Sequence, residues 1–152
     1  MDRSILHMDL DTFFVSVERQ MDSRLNGKPI LIGGTGDRGV VAACSYETRK
    51  FGVHSAMPMR MARSLCPEAI IIRGNSANYS KFSNLVTDVI KEEVPVYEKT
   101  SVDEFFVDLT GMDRFFGNFK FASELRDRVI NETGLPISFG LSLNKTVSKV
   151  AT

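Results

Sequence analysis

Acidic residues lie at the ends of predicted strands in two segments of the chain, and their carboxylates could bind cations. Asp9 and Asp11 close an apolar stretch near the N-terminus, while Asp103 and Glu104 separate two strand-like runs. Adjacent carboxylates repel each other and strands disfavour Asp, so a pair of acids at this position is unusual. If the two segments lie side by side, Asp9, Asp103 and Glu104 converge. Two metal ions about 3.5–4 Å apart would offset their charge and support a phosphoryl transfer.

Each acidic pair also has a plainer interpretation. Asp11 could cap a helix that begins at Thr12, because Asp is a preferred N-cap residue. Asp103 and Glu104 could form a solvent-exposed turn. The Asp9-Leu10-Asp11 pattern alone does not separate a cap from a ligand of Mg²⁺, a cation that prefers carboxylate and phosphate oxygens.

Two further segments could bind phosphate. Tyr46 and Arg49 are three residues apart, so a helix places them on one face, and a phenol beside a guanidinium suits the β- and γ-phosphates of a nucleotide. Lys145 and Lys149 lie near the start of another predicted helix, where positive charge opposes the helix dipole and indicates a bound anion. The plainer alternatives are an amphipathic surface helix and a pair of solvated lysines.

Hydrophobic periodicity predicts the elements that would position these residues. Residues 11–74 contain short strands and helices, including a helix over 11–21 with Phe14, Val17 and Met21 on its inner stripe. The rest of the chain predicts an α+β fold, an antiparallel split-βαβ sheet backed by helices. Its predicted elements are a strand over 4–9, a helix over 78–93 with Phe82, Leu85, Val89 and Ile90 inward, strands over 96–100 and 104–109, a loop over 110–118, a helix over 119–132, a strand over 137–143 and a helix over 144–152.

Composition excludes several classes of protein. The 152 residues are 43% apolar and carry no net charge, with a basic stretch over 38–63 and an acidic one over 84–113. No apolar run approaches the roughly 20 residues of a membrane span, and acids interrupt the N-terminal apolar stretch, so we expect a cytoplasmic protein without a signal peptide. Cys44 and Cys66 lack metal-site spacing and are expected to be buried thiols, and His7 and His54 are interpreted as structural.

Four segments together resemble the Y-family of DNA polymerases, most closely its DinB branch. They begin at His7, Val41, Ser101 and Leu143, and they read HMDLDTFFVSVE, VAACSYETRKFGV with SAMP, SVDE, and LNKTVSKVA. Several motifs in the family's order are more specific than any one of them, and the resemblance runs almost from end to end. A hydroxyl residue common in the family is replaced by Ala43, which implies the loss of one triphosphate hydrogen bond.

The resemblance implies a role for each matched residue. Two Mg²⁺ ions, for which Mn²⁺ can substitute, would be bound by Asp9, the Leu10 carbonyl, Asp103 and Glu104. The implied nucleotide-binding residues are Tyr46, Arg49 and Lys149 on the triphosphate and Phe14 as a steric gate against a ribose 2′-hydroxyl. Ala56 and its neighbours would cover the nascent base pair and leave space for damaged templates.

The same resemblance implies a domain organisation and partners. A ferredoxin-like palm would comprise residues 1–10 and 75–152, with a small α/β fingers subdomain inserted at 11–74. The implied activity is template-directed translesion DNA synthesis from deoxynucleoside triphosphates on primer-template DNA. The last predicted helix has no stop signal, so we expect a longer native protein whose thumb, little finger and sliding-clamp contact lie outside this chain, and a weak or inactive fragment.

Other enzymes share parts of the pattern. Asp9 to Phe13 nearly fits the DxDx[TV] motif of haloacid-dehalogenase-type phosphatases, but Phe13 takes the Thr/Val place. Nucleotidyl cyclases also use a palm-like sheet and two metals, although they leave the segment from Tyr46 to Phe51 unexplained. A catalytically silent binding module would have no need of the three acids.

Overall fold

The computed structural model describes residues 4–36, 38–110, 117–142 and 145–152. The chain divides into two compact units, one formed by Met1–Asp11 with Tyr79–Thr152 and the other by Thr12–Asn78. In chain order the elements are β1 (Ile5–Leu10), α1 (Phe13–Met21), a 3₁₀ helix (Ser23–Leu25), β2 (Ile30–Gly33), β3 (Val41–Cys44), α2 (Tyr46–Arg49), α3 (Met59–Leu65), β4 (Ile70–Ile72), α4 (Ser76–Glu93), β5 (Tyr97–Lys99), β6 (Glu104–Asp108), α5 (Asn118–Thr133), β7 (Ile137–Ser142) and α6 (Lys145–Ala151).

The first unit is built on a four-stranded antiparallel sheet. Its strand order is β5-β6-β1-β7, with α4 between β1 and β5 along the chain and α5 between β6 and β7. This is the split-βαβ arrangement, so the predicted fold class is confirmed. The predicted loop over 110–118 lies mostly outside the described residues.

Alternation along β1 gives the sheet two different faces. Leu6, Met8 and Leu10 are buried with at most 2% of their surface exposed, as expected for side chains on the core face. His7 and Asp9 project from the opposite face because side-chain direction alternates along a strand. A polar residue on that face can therefore belong to a functional site without interrupting the hydrophobic core.

The inward stripe predicted for α4 is partly wrong. Leu85 is 41% exposed, whereas Ser83 and Val86 are buried. The Ser83 hydroxyl donates to the Val102 carbonyl at 2.6 Å, which satisfies a polar side chain in an inward position. Sequence hydrophobicity alone could not identify a serine that turns inward to fix the β5–β6 turn.

The second unit contains a three-stranded sheet of order β3-β2-β4, antiparallel between β2 and β3 and parallel between β2 and β4. Cys44 and Cys66 lie in one buried apolar cluster, as expected for structural thiols. Helix α1 buries Phe13, Val15 and Val17, while Met21 is 53% exposed, so the stripe predicted through Met21 is wrong. Within the described ranges, none of the helices has the length and apolar character that a membrane span requires.

Candidate active site

Strand pairing brings the two acidic motifs to one end of the first sheet. Asp9 is the direct partner of Glu104 in the β1–β6 ladder. One residue further, the Leu10 N–H donates to the Asp103 carbonyl at 2.8 Å, so the pairing continues into the turn before β6. Directly paired residues project to the same face of a sheet, which places the side chains of Asp9 and Glu104 side by side.

Asp11 is held by the strand on the other side of β1. The Ser138 hydroxyl lies 2.8 and 2.7 Å from the two Asp11 carboxylate oxygens, and the Asp11 N–H donates to the Pro136 carbonyl. Helix α1 begins at Phe13, and its N-cap residue is Thr12. The alternative that Asp11 occupies the cap position is therefore wrong.

Negative charge accumulates around Asp9. Burial and the neighbouring carboxylates of Asp103, Glu104 and Asp11 raise its pKa from 3.8 to about 6, with burial the largest cause, while His7 opposes the shift. A cation near Asp9 would stabilise its ionised form, because an opposite charge favours the charged state of a carboxyl.

Glu104 is paired with a cation in this structure. Its Oε1 lies 3.0 Å from the Lys149 Nζ and 2.7 Å from the His7 Nε2. The Lys149 hydrogen bond is the largest cause that lowers the pKa of Glu104, and the same pair raises the pKa of Lys149. Lys149 therefore lies at the acidic motif itself. The side chain of Lys145, its predicted partner, lies outside the described residues.

A glycine allows α6 to reach this site. A Cβ built on Gly140 would lie 2.1 Å from the Ser148 carbonyl oxygen and 2.5 Å from the Thr152 nitrogen. Only a residue without a side chain permits such a close approach of helix backbone to strand. Gly140 pairs with His7 in the β1–β7 ladder, so α6 passes over the sheet beside His7.

The three predicted acids are not arranged as a formed metal site. Asp103 accepts a hydrogen bond from the Ser101 hydroxyl at 2.8 Å. Among the residues that the structure describes, no three His, Cys, Asp or Glu side chains form a group that could hold a metal ion. Carboxylates with a backbone carbonyl are nevertheless the hard oxygen donors that Mg²⁺ requires, so the donor chemistry fits. The ligand set stays a prediction.

His7 is a residue of this site that sequence reasoning missed. The sequence predicts an isolated structural histidine, whereas its ring contacts Glu104 and is 1% exposed. The available signal was its spacing, since His7 and Asp9 are two residues apart on one strand and so share a face.

The other predicted nucleotide-binding residues belong to the second unit. Tyr46 and Arg49 share one face of α2, with the Arg49 guanidinium 4.9 Å from the centre of the Tyr46 ring. Arg19 donates to both carboxylate oxygens of Glu47 at 3.1 Å and so fixes the same helix. Phe14 is half-buried against the cluster of Val15, Ile30 and Ile32. The predicted roles of Tyr46, Arg49 and Phe14 stay predictions.

Comparison with known proteins identifies the family. Residues 8–152 match the model of the impB/mucB/samB family. The chain is 44% identical over 151 residues to a DNA polymerase IV of Treponema denticola and 43% identical over 152 residues to one of Clostridium perfringens. It covers 99% of itself in both matches but only 38% and 42% of those relatives, so it spans about two fifths of their length.

Solved structures agree with this match. DinB from Sulfolobus solfataricus superposes with a TM-score of 0.90 at 28% identity, covering 97% of this chain and 44% of that one. An insertion ternary complex of Dbh DNA polymerase gives a TM-score of 0.89 over the same shares. The family match excludes the phosphatase and cyclase alternatives. The chain therefore belongs to the impB/mucB/samB family, the Y-family of DNA polymerases.

Proposed function

We propose that the protein containing this chain is a template-directed translesion DNA polymerase, with this chain supplying its catalytic acids. The observation that carries the proposal is the β1–β6 register, which pairs Asp9 with Glu104 and hydrogen-bonds Leu10 to Asp103. Carboxylates grouped at a sheet end suit nucleotidyl transfer to a primer 3′-hydroxyl, because that reaction needs cations beside the attacking and leaving oxygens.

The acids would bind two divalent cations, Mg²⁺ or Mn²⁺. The proposed ligands are the carboxylates of Asp9, Asp103 and Glu104 and the carbonyl of Leu10. The bound ions would polarise the reacting oxygens and neutralise charge on the phosphates. Burial and the neighbouring carboxylates raise the pKa of Asp9 to about 6, and a bound cation would favour its charged form.

Lys149 would exchange partners during nucleotide binding. Its ammonium now neutralises Glu104 at 3.0 Å, and the side chain is 60% exposed. Cation binding at Glu104 would supply positive charge in its place, which leaves the ammonium available for a triphosphate oxygen. Tyr46 and Arg49 are proposed to bind the same triphosphate, and Phe14 to exclude a 2′-hydroxyl.

The partners of the whole protein follow from this activity. We propose that they are primer-template DNA and a deoxynucleoside triphosphate, which the sheet and α2 would help to bind. A sliding-clamp contact is assigned to a region outside this chain and stays a prediction, as does the cytoplasmic location.

A chimera tests the proposal without requiring activity from the isolated chain. In the Clostridium perfringens DNA polymerase IV, the segment that this chain matches is replaced by this chain, and primer extension on a templated DNA substrate is measured. We expect template-directed extension that Asp103→Ala abolishes while the melting temperature is retained. The matched control is Asp127→Ala on the exposed face of α5, which should extend primers normally. Equal extension by the Asp103→Ala and control chimeras would contradict the proposal.

A further inference from the structure

His7 occupies a position that combines full burial with polar contacts at both ring nitrogens. The side chain is 1% exposed, the Nε2 lies 2.7 Å from the Glu104 Oε1, and the Nδ1 lies 2.5 Å from the Thr152 Oγ1. Its ring also packs against Phe106 with 4.9 Å between centroids. These contacts restrict both the position of the ring and its rotation.

The Nε2 contact has a defined direction. The Glu104 Oε1 also lies 3.0 Å from the Lys149 ammonium, with which it forms an ion pair. A carboxylate only accepts hydrogen bonds, so the His7 Nε2 donates to it. Because His7 donates from a buried ring, the bond fixes the direction of the carboxylate more firmly than a solvated partner could.

Lys149 reaches the same oxygen but cannot perform the same task. Its side chain is 60% exposed, and a lysine has several rotatable bonds and rotatable donors. His7 has two side-chain torsions, and its ring is bonded at one end to Glu104 and at the other to Thr152 of the polypeptide that follows α6. The Thr152 Oγ1 also lies 2.8 Å from the Ser148 carbonyl oxygen, which places the ring beside the last turn of the helix.

We propose that His7 is a positioning residue that orients the Glu104 carboxylate for cation binding. This inference rests on the proposed function, because it requires Glu104 to be a cation ligand. His7 contacts no reacting atom in this proposal and acts through Glu104. Hydrogen-bond partners of metal ligands commonly have such a role, and their loss typically weakens metal affinity by about 10–100-fold.

The test measures Mn²⁺ affinity of the 152-residue chain by electron paramagnetic resonance titration of free Mn²⁺. His7→Phe keeps an aromatic ring but removes the donor, and we expect about tenfold weaker binding. His7→Gln is the matched control, since its amide nitrogen can take the place of Nε2, and it should restore affinity close to wild type. In the Glu104→Gln background, His7→Phe should weaken binding no further.

A second variant protects the test against misfolding. Thr152→Val leaves His7 in place but removes the hydroxyl at its Nδ1, and we expect a smaller loss of Mn²⁺ affinity with circular dichroism unchanged. A merely structural role would lower the melting temperature of His7→Phe and leave the Mn²⁺ affinity of the folded chain unaltered. That result, with Glu104→Gln still weakening binding, overturns the inference alone. A wild-type chain that binds no Mn²⁺ overturns the proposed function and the inference together.

Discussion

Lys149 forms an ion pair with Glu104, the residue directly opposite Asp9 in the sheet. The Lys149 Nζ lies 3.0 Å from the Glu104 Oε1 and so brings positive charge to the acidic motif. Its charge helps to keep Glu104 ionised, whereas Asp9 has its pKa raised to about 6. Two paired acids at one sheet end thus have opposite pKa shifts, and the difference has consequences for stability.

Asp9→Asn should stabilise the metal-free chain in a pH-dependent way. The pKa of Asp9 is higher in the folded chain, about 6, than the ordinary value of 3.8, so ionisation costs folding stability as pH rises through this window. After allowance for solvent screening of a partly buried group, the advantage of Asn should be about 1 kcal/mol at pH 7 and absent below pH ~4.

Urea denaturation at several pH values in the presence of a chelator measures this advantage. Asp127→Asn, at an exposed position of α5, is the control and should show no such growth with pH. An Asp9→Asn advantage that is constant from pH 4 to 7, or that shrinks as pH rises, would argue against an accumulation of negative charge around Asp9.

Gly140→Ala should displace α6 from the sheet. Its Cβ would lie 2.1 Å from the Ser148 carbonyl oxygen, and backbone cannot move aside as a flexible side chain can. Overpacking of this kind typically costs about 1–3 kcal/mol. Denaturation measures the cost, and loss of Mn²⁺ affinity would report displacement of the elements beside Glu104.

Gly36→Ala is the matched control, since apart from its two chain neighbours none of the described residues has an atom within 4 Å of a Cβ built at Gly36. It should remain within about 0.5 kcal/mol of wild type. If both substitutions have the same effect, the close approach of α6 to β7 is not what requires glycine at position 140.

Phe14→Ala in the chimera should relax sugar selection. Phe14 is half-buried, so its truncation should cost less than the roughly 3–5 kcal/mol of a fully buried phenylalanine. If Phe14 is the steric gate, ribonucleotide incorporation should rise relative to deoxyribonucleotide incorporation. Phe13→Ala is the control, because Phe13 is 4% exposed and should lose stability without a change in sugar preference. Unchanged discrimination in a folded Phe14→Ala chimera would assign Phe14 to the core.

The sequence predicts the strands of the first unit well because alternation and turn residues are local signals. The sequence also predicts that Asp9 and Glu104 lie close together, since two apolar strands with acids at their ends have few ways to align in one sheet. The contacts of His7 cannot be predicted from the sequence, because they depend on partners that β6 and the residue after α6 bring to it. The need for glycine at position 140 is also hidden from the sequence, since it arises from the close approach of the α6 backbone.

Burial was harder to predict than secondary structure. On α4 the inward positions include Ser83 and exclude Leu85, because a hydrogen bond to Val102 compensates the serine while the leucine lies on the outer side of the helix. On α1, periodicity likewise predicts a buried Met21, whereas Met21 is exposed in the structure. Hydrophobic periodicity detects the helix, but tertiary contacts decide which of its faces are covered.

Anomalous diffraction from crystals of the chain grown with Mn²⁺ and a deoxynucleoside triphosphate would locate the bound ions directly. We expect two anomalous peaks about 3.5–4 Å apart, bound by the carboxylates of Asp9, Asp103 and Glu104. We also expect Lys149 to have left Glu104 for a phosphate oxygen. Carboxylates more than roughly 10 Å apart, too far for two bridged metal ions to span, or Mn²⁺ bound away from all three would contradict the proposed two-metal site.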